Sequence, residues 1–222
     1  MGLNNIEKRS IGYNLLKLWM KFWHDNVYYR KYTVSATNNI PINKPLIFTP
    51  NHQNALMDAL ALLFSVNIQM VFLARADIFK KPAIAKILYF LKILPVYRVR
   101  DGYDSAEKTK EIFRKTVDII TAGNAMVILP EGNHSRIRRL RPLKKGFARM
   151  AFQTEENNNF NLDLQIVPVG IDYDNHFNYR SSLAITFGDP IPVSDFIPAF
   201  KENEPIALNS LKDRLSEHMA PT

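Results

Sequence analysis

Short apolar segments alternate with amphipathic helical segments along most of the 222-residue chain. Apolar runs bounded by turn residues predict strands at 32–36, 45–49, 70–74, 94–99, 125–129, 164–173 and 183–187. Apolar residues at helical spacing, with matching start and stop residues, predict helices near 55–63, 82–91, 105–122, 147–155 and 206–219. This alternation is typical of an α/β fold with a mixed, largely parallel central sheet flanked by helices.

A separate helix is predicted at the amino terminus, and we assign residues 1–31 to it and residues 32–222 to the α/β domain. When residues 11–24 are placed on a helix, apolar and basic side chains fall on opposite faces. The apolar face carries Ile11, Leu15, Leu18, Trp19, Phe22 and Trp23, and the opposite face carries Lys17, Lys21 and His24. Tryptophan and lysine favour bilayer surfaces, whereas a wide apolar face also suits packing on a domain. Both interpretations stand at this point.

The formal net charge of +8 predicts an anionic partner, a class that includes nucleic acid, lipid headgroups and phosphorylated substrates. No cysteine is present, so a disulfide framework, a cysteine zinc site and a cysteine nucleophile are excluded. No signal peptide is visible, and the longest uncharged apolar run, 59–74, is shorter than the roughly 20 residues of a membrane span. Composition therefore indicates an anionic ligand without choosing among these classes.

A histidine and an aspartate follow the second predicted strand, in the stretch Asn-His-Gln-Asn-Ala-Leu-Met-Asp at 51–58. Loops at the carboxyl ends of parallel strands are common places for chemistry. A carboxylate can hold one imidazole nitrogen while the other takes a proton from a substrate hydroxyl. We predict His52 as a general base and Asp58 as its orienting carboxylate. The same residues also fit a polar cap at the start of a helix.

Two further segments carry charged residues at predicted strand ends. Arg98 and Arg100 are two residues apart and share one face of a strand, where arginine suits a bidentate grip on phosphate. Glu131 and Gly132 follow another strand in a Pro-Glu-Gly turn, which offers a carboxylate and backbone N–H groups. In isolation, each segment also fits a solvated charge pair or a surface turn.

A basic run follows Glu131, with no acidic residue before Glu155. Its cationic residues are Arg136, Arg138, Arg139, Arg141, Lys144, Lys145 and Arg149. We expect this run to attract phosphate groups, and Gly146 adds a predicted helix N-terminus that favours anions.

These segments, in this order, resemble the motifs of the glycerolipid acyltransferase superfamily, which includes the 1-acyl-glycerol-3-phosphate (lysophosphatidic acid) acyltransferases. The matching stretches are Asn-His-Gln…Asp at 51–58, Ile-Leu-Pro-Val-Tyr-Arg at 93–98, Leu-Pro-Glu-Gly…Ser-Arg at 129–136 and Ile-Val-Pro-Val-Gly-Ile at 166–171. The resemblance covers about residues 45–190. The joint order and spacing of the motifs are more specific than any single motif.

Carried over to this sequence, the resemblance implies His52 and Asp58 as the catalytic pair. It implies a substrate-binding set of Arg75, Arg98, Glu131, Gly132, Ser135 and Arg136. Within that set, Arg98 would hold the phosphate of the acceptor, and Pro168 would shape the sheet wall along the acyl channel. The implied donor is acyl-CoA or acyl-carrier protein, as a co-substrate, with no cofactor or metal. The implied location is the cytoplasmic face of the cell membrane, peripheral or anchored by parts outside this chain.

Two departures from the family pattern stand out. Five residues separate His52 from Asp58, where four are common, and one extra residue turns the aspartate about 100° further round an ideal helix. We expect the turn before the helix to absorb that rotation. Asn133 and His134 replace a frequent Thr-Arg pair, which removes one fixed positive charge from the acceptor site.

The leading hypothesis is transfer of a fatty acyl group from a thioester to a hydroxyl of a lysophospholipid or glycerol-phosphate-type acceptor, at a membrane surface. One alternative is a non-catalytic module of the same fold that binds anionic membranes. Another is hydrolysis of the same donor, with water in place of the alcohol. A nucleic-acid binder is suggested by charge alone, and we expect no nucleic-acid partner because no known nucleic-acid motif is present.

Overall fold

The computed structural model describes residues 6–97, 105–132 and 139–219. An eight-stranded mixed sheet forms the centre of these residues. Its strands are β1 (Lys31–Ser35), β2 (Leu46–Pro50), β3 (Met70–Arg75), β4 (Ile93–Val96), β5 (Ala125–Val127), β6 (Gln165–Tyr173), β7 (Ser182–Phe187) and β8 (Ile191–Pro192).

The strand order is β1-β7-β6-β2-β5-β3-β4, with β8 beside β6. Strands β2 to β6 all run in one direction, because β2 is parallel to β5 and β6, and β3 is parallel to β4 and β5. Strands β7 and β8 are antiparallel to β6, and β1 is parallel to β7. The predicted mixed, largely parallel sheet is confirmed. The ends of β2 to β6 meet at one side of the sheet, which we call the carboxyl edge.

Seven α-helices surround the sheet within the described ranges. They are α1 (Ile11–Trp23), α2 (Leu56–Ser65), α3 (Pro82–Phe90), α4 (Ser105–Thr121), α5 (Gly146–Asn157), α6 (Ile197–Glu202) and α7 (Glu204–Met219). Side chains of β2 alternate between the two faces: Leu46 and Phe48 join the core under α2, and Ile47 joins the core under α4, α5 and α7. None of these helices is both long and apolar enough to cross a membrane.

The structure departs from the predicted elements mainly at short ones. Helix α6 and strand β8 were not predicted; six residues and two residues are too short to show a periodic pattern. The helical segment predicted over the amino terminus ends its α-helix at Trp23 and continues as a π-helical segment, His24–Tyr28. Residue Lys31 already belongs to β1, so the separation of residues 1–31 from 32–222 stays a prediction.

The segment before α1 is fastened to the amino ends of the strands by buried polar contacts, which we call the N-terminal anchor. The side chain of Lys92 is fully buried and donates to the backbone carbonyls of Ile6 and Lys8. Gln69 donates to the carbonyl of Glu7 at 2.7 Å, and the carboxylate of Glu7 pairs with Lys115 at 2.8 Å. Burial lowers the pKa of Lys92, and the nearby charge of Glu7 opposes that shift. The anchor therefore sets where α1 begins.

The substitution Lys92→Met tests the N-terminal anchor, because it keeps an unbranched side chain, one heavy atom shorter, but removes the donors. Two backbone carbonyls then lose a charged partner, so we expect the free energy of unfolding to fall by about 2 kcal/mol. Denaturant unfolding measures this change. The matched control is Lys86→Met, an exposed position on α3, where we expect a change below about 0.5 kcal/mol. Equal losses in the two variants would contradict the anchor.

Candidate active site

His52 lies two residues after β2, at the carboxyl edge, and faces the carboxylate of Asp58. Its Nδ1 is 2.9 Å from Oδ2 of Asp58. The imidazole retains 15% exposure, whereas the side chain of Asp58 is completely buried. Because an ionised carboxylate only accepts, this contact places a proton on Nδ1 of the neutral ring. The other ring nitrogen, Nε2, then carries the lone pair.

Asp58 is the centre of a hydrogen-bond network around this pair. Its Oδ2 also accepts the backbone N–H groups of Gln53 at 2.9 Å and Asn54 at 2.8 Å. Its Oδ1 accepts the hydroxyl of Tyr173 at 2.8 Å. Asp58 also lies in the first turn of α2, where the helix dipole favours a negative charge. Four donors and a helix amino terminus therefore stabilise a carboxylate that is out of contact with water.

The extra residue between histidine and aspartate is absorbed before the helix, as the sequence predicts. Helix α2 begins only at Leu56, so the residues from His52 to Ala55 are not helical. Ala55 has φ 45° and ψ −115°, a conformation that residues other than glycine seldom adopt. This reversal lets the side chain of Asp58 turn back towards His52. We call residues 51–58, which carry the histidine and the aspartate, the box. Its ion-pair geometry is thereby kept despite the longer spacing.

Glu131 links the histidine to the basic run. Its Oε1 accepts the backbone N–H of His52 at 2.8 Å, and its Oε2 accepts the N–H of Arg141 at 3.3 Å. Burial raises the pKa of Glu131, and these two N–H groups oppose the shift. Both oxygens thus accept backbone N–H groups, one from the segment after β2 and one from the basic run. A direct contact of Glu131 with an acceptor hydroxyl stays a prediction.

Gly132 completes the turn that carries Glu131. Its N–H donates to the carbonyl of Leu129 at 3.1 Å, and its φ of 71° lies in the left-handed region that favours glycine. The carbonyl of Pro130 in turn accepts the N–H of Lys144 at 2.8 Å. The Pro-Glu-Gly segment therefore forms a tight turn that brings the basic run to the carboxyl edge.

Two residues that hold the site, Tyr173 and Asn51, were not predicted from the sequence. Tyr173 ends β6, next to β2, and burial raises its pKa far above the ordinary value, with the charge of Asp58 adding to the effect. It therefore stays protonated and donates. Asn51 copies a backbone pair with its side-chain amide: it donates to the carbonyl of Ile171 and accepts the N–H of the same residue, at 2.9 and 2.7 Å. Their positions beside the carboxyl edge were the available signal.

The loop between β6 and β7 also contacts the box. His176 accepts a hydrogen bond from the side chain of Asn54 through its backbone carbonyl, at 3.2 Å. Its ring Nε2 lies 2.9 Å from Oε1 of Gln53. These contacts fix the side chains of Gln53 and Asn54, which follow His52 in the chain.

The remaining predicted residues have different standings. Arg75 ends β3, so it lies at the carboxyl edge, and its exposed guanidinium pairs with Asp77. Pro168 lies in β6 beside Thr49 of β2. Their binding roles stay predictions. Arg98, Ser135 and Arg136 lie outside the described residues, as does the Asn133-His134 substitution.

Comparison with known proteins places this geometry in a context. The model of the family described as Acyltransferase matches residues 31–172, which include every residue of the box and the Pro-Glu-Gly turn. The fold resembles the crystal structure of the 1-acyl-sn-glycerophosphate (LPA) acyltransferase PlsC from Thermotoga maritima, in an alignment that covers 97% of this chain with a TM-score of 0.57. Sequence identity in that alignment is 18%, and 78% of the other chain is covered, so the likeness concerns the fold.

Curated proteins with similar sequences carry related names. The chain is 27% identical to a 1-acyl-sn-glycerol-3-phosphate acyltransferase of Borreliella burgdorferi, over 66% of this chain and 53% of that protein. It is 27% identical to the chloroplastic 1-acyl-sn-glycerol-3-phosphate acyltransferase BAT2 of Brassica napus, over 66% of this chain and 40% of that protein. With glycerol-3-phosphate O-acyltransferase 1 of Saccharomyces cerevisiae it shares 28% identity, over 47% of this chain and 14% of that protein. The chain thus spans about half or less of these relatives.

The substitution Tyr173→Phe tests whether the carboxylate network holds the imidazole. Oδ1 of Asp58 then loses its donor, so we expect the free energy of unfolding to fall by about 1–3 kcal/mol. We also expect the Nδ1–H signal of His52 to shift in the NMR spectrum of the imidazoles. The control is Tyr32→Phe, which removes a hydroxyl that donates 2.8 Å to the carbonyl of Ala61, further along α2. A His52 signal that moves equally in both variants, or in neither, would contradict the network.

Proposed function

The chain belongs to the Acyltransferase family, and we propose that it moves an acyl group from a thioester to a hydroxyl of a lysophospholipid or glycerol-phosphate-type acceptor. The observation that carries the proposal is the 2.9 Å contact between His52 and Asp58 at the carboxyl edge, within the matched residues. The names of the relatives support a glycerolipid acceptor. A thioester donor, acyl-CoA or acyl-carrier protein, suits this proposal, because direct attack by the hydroxyl without a protein nucleophile needs an activated acyl group.

The proposed reaction uses His52 in both directions. Nε2 takes the proton of the acceptor hydroxyl while the hydroxyl oxygen attacks the thioester carbonyl carbon. The resulting tetrahedral oxyanion collapses, the carbon–sulfur bond breaks, and the leaving thiolate receives the proton from Nε2. Asp58 keeps its proton-accepting contact with Nδ1 throughout and stabilises the imidazolium. No serine or cysteine nucleophile is required, because the acceptor attacks directly.

The positive charge of the carboxyl edge supports a phosphate-bearing substrate. Arg75 ends β3 at this edge, and the Pro-Glu-Gly turn holds Arg141 and Lys144 close to it by their backbones. Arginine suits phosphate because its planar donors match two oxygens at once. We propose that the acceptor phosphate binds beside these basic residues of the carboxyl edge, with Arg98 and Arg136 as further candidate phosphate ligands.

The substitution His52→Ala tests the catalytic role. We expect the rate of acyl transfer to fall by about a thousandfold, the usual contribution of a positioned general base. The assay offers labelled acyl-CoA and acyl-carrier protein against a panel of lysolipids and glycerol phosphate, and mass spectrometry identifies the acylated product. The control is His218→Ala, in the last turn of α7.

Three outcomes would contradict the proposal. Substantial acyl transfer by a folded His52→Ala protein would show that His52 is not the general base. Release of free fatty acid in place of acylated lipid would indicate hydrolysis. No product from any donor, together with intact vesicle binding, would favour a non-catalytic membrane module.

We also propose that α1 docks on a membrane, at its cytoplasmic face. Six large apolar side chains of this helix are exposed: Ile11, Leu15, Leu18, Trp19, Phe22 and Trp23. The exposed fraction is 47% or more for each, so this face is not packed on the domain. A contiguous exposed apolar face with tryptophan marks a docking surface, and the lysines on the opposite face of the helix favour an anionic bilayer over a second protein copy.

Tryptophan fluorescence gives a direct measurement of this docking, because both tryptophans of the chain lie on the exposed face. On vesicles containing anionic lipid we expect a blue shift of the emission and saturable binding. Leu18→Glu should weaken binding by at least about tenfold, since it places a charge among apolar side chains that enter the bilayer on binding. The control is Ile42→Glu, at a similarly exposed apolar position in the turn before β2. We expect this variant to bind vesicles as the parent protein does. Self-association without vesicles would contradict membrane docking.

A further inference from the structure

A cleft of about 650 Å³ opens between α1 and the turn that joins α2 to β3. Its polar lining includes Arg9, Asn14, Lys17, Lys21, Asn67 and Gln69. The cleft lies at the carboxyl end of α2, whereas Asp58 lies at the amino end. Asp58 and Ser65, which lines the cleft, are seven residues apart on α2, which corresponds to about 10 Å along the helix axis. The cleft is therefore distinct from the site around His52.

The cleft carries an excess of positive charge. Lys21 pairs with Asp25 at 2.7 Å and also donates to the carbonyl of Phe64, which offsets the negative end of the α2 dipole. Within the described part of the chain, the side chains of Arg9 and Lys17 have no ion pair or hydrogen bond. Lys17 is partly buried, and its pKa is lowered by that burial and by the charge of Lys21. An anion in the cleft would offset both effects.

Nearby acidic groups are already engaged. The carboxylate of Glu7 is bound by Lys115, and that of Asp25 is bound by Lys21 and by the ring of His24 at 2.7 Å. The amide of Asn67, on the turn, is exposed and adds hydrogen-bonding capacity at the rim. Two cations and a neutral amide thus face a space that is open to solvent.

The cleft is continuous with the exposed apolar face of α1. Leu18 belongs to that face and also lines the cleft, together with Lys17 and Lys21 from the opposite face of the same helix. If α1 lies in the interfacial region of a bilayer with its apolar face towards the acyl chains, the cations on its opposite face lie close to the depth of the lipid phosphates. This location favours a lipid phosphate over a soluble one, because a bilayer beneath α1 would hold lipid phosphates next to the cleft.

We propose that this cleft binds the phosphate of an anionic phospholipid headgroup from the bilayer on which α1 lies. Arg9 and Lys17 contact the phosphate, and Lys21 shapes the inner wall. The site rests on the membrane docking of the proposed function and is independent of the chemistry at His52. It holds a lipid of the surrounding bilayer in place during turnover, as a fixed docking contact.

The double substitution Arg9→Gln/Lys17→Gln tests the cleft on vesicles of phosphatidylcholine mixed with phosphatidylglycerol. We expect the vesicle dissociation constant to rise by about thirtyfold, the effect of removing two cations that contact lipid phosphate. On vesicles of phosphatidylcholine alone, the variant and the parent should bind equally. The charge-preserving exchange Arg9→Lys/Lys17→Arg should stay within about threefold of the parent, which shows that the positions tolerate substitution.

The matched control is Lys110→Gln/Arg114→Gln, which removes one lysine and one arginine from the exposed face of α4. We expect its affinity to change by less than about threefold. Equal weakening in the control and in the cleft variant would show diffuse charge attraction and would overturn the site. Unchanged binding of the cleft variant would overturn it as well.

Two further arms separate the sources of phosphate and the two proposals. A calorimetric titration with inorganic phosphate should show no saturable binding; tight binding that the cleft variant loses would identify a soluble ligand and overturn the lipid assignment. The His52→Ala protein should bind both kinds of vesicle as the parent does. Loss of catalysis and loss of this lipid site are thus measured independently.

Discussion

The buried carboxylate of Asp58 is the interaction on which the rest of the site depends. A charged group this deep is tolerated only when its oxygens are fully hydrogen-bonded. Here the donors come from two parts of the chain: the segment after β2 supplies the imidazole and two backbone N–H groups, and the end of β6 supplies a hydroxyl. The same contacts that satisfy the charge therefore define the path of residues 52–54, the start of α2 and the orientation of the ring. Structure and proposed chemistry share one network.

Much of this arrangement was predictable because it follows from strand direction. Once β2, β3 and β5 run in parallel, residues that follow them must meet at one edge, and the residue pairs 52/58 and 131/132 do meet there. The spacing of five residues predicted an unusual turn, and Ala55 shows it. The fold class followed from the alternation of strands and helices, and the family resemblance followed from the order of the motifs.

Other features depended on tertiary contacts that no local pattern shows. Glu131 looked like a residue for substrate, but both its oxygens hold backbone N–H groups from distant segments. Tyr173 looked like the last residue of an apolar strand, because only the neighbouring strand reveals what its hydroxyl meets. His24 was expected on the polar face of the first helix; in the structure it is the first residue of the π-helical segment and is buried against Tyr29, Tyr32 and Phe64. Its pKa is lowered, chiefly by that burial.

The contacts of Lys92 with the carbonyls of Ile6 and Lys8 have a consequence for how the molecule meets a surface. Helix α1 is held before its first turn by these contacts and near its last turn by Lys21 and His24. Because α1 is held at both ends, it moves with the rest of the domain as one rigid body. A domain attached to a bilayer by a flexible segment would sample many tilts and lose that freedom on each productive encounter. In the proposed docking, the rigidly held α1 would instead present the domain to the lipid plane at one tilt, already set during folding.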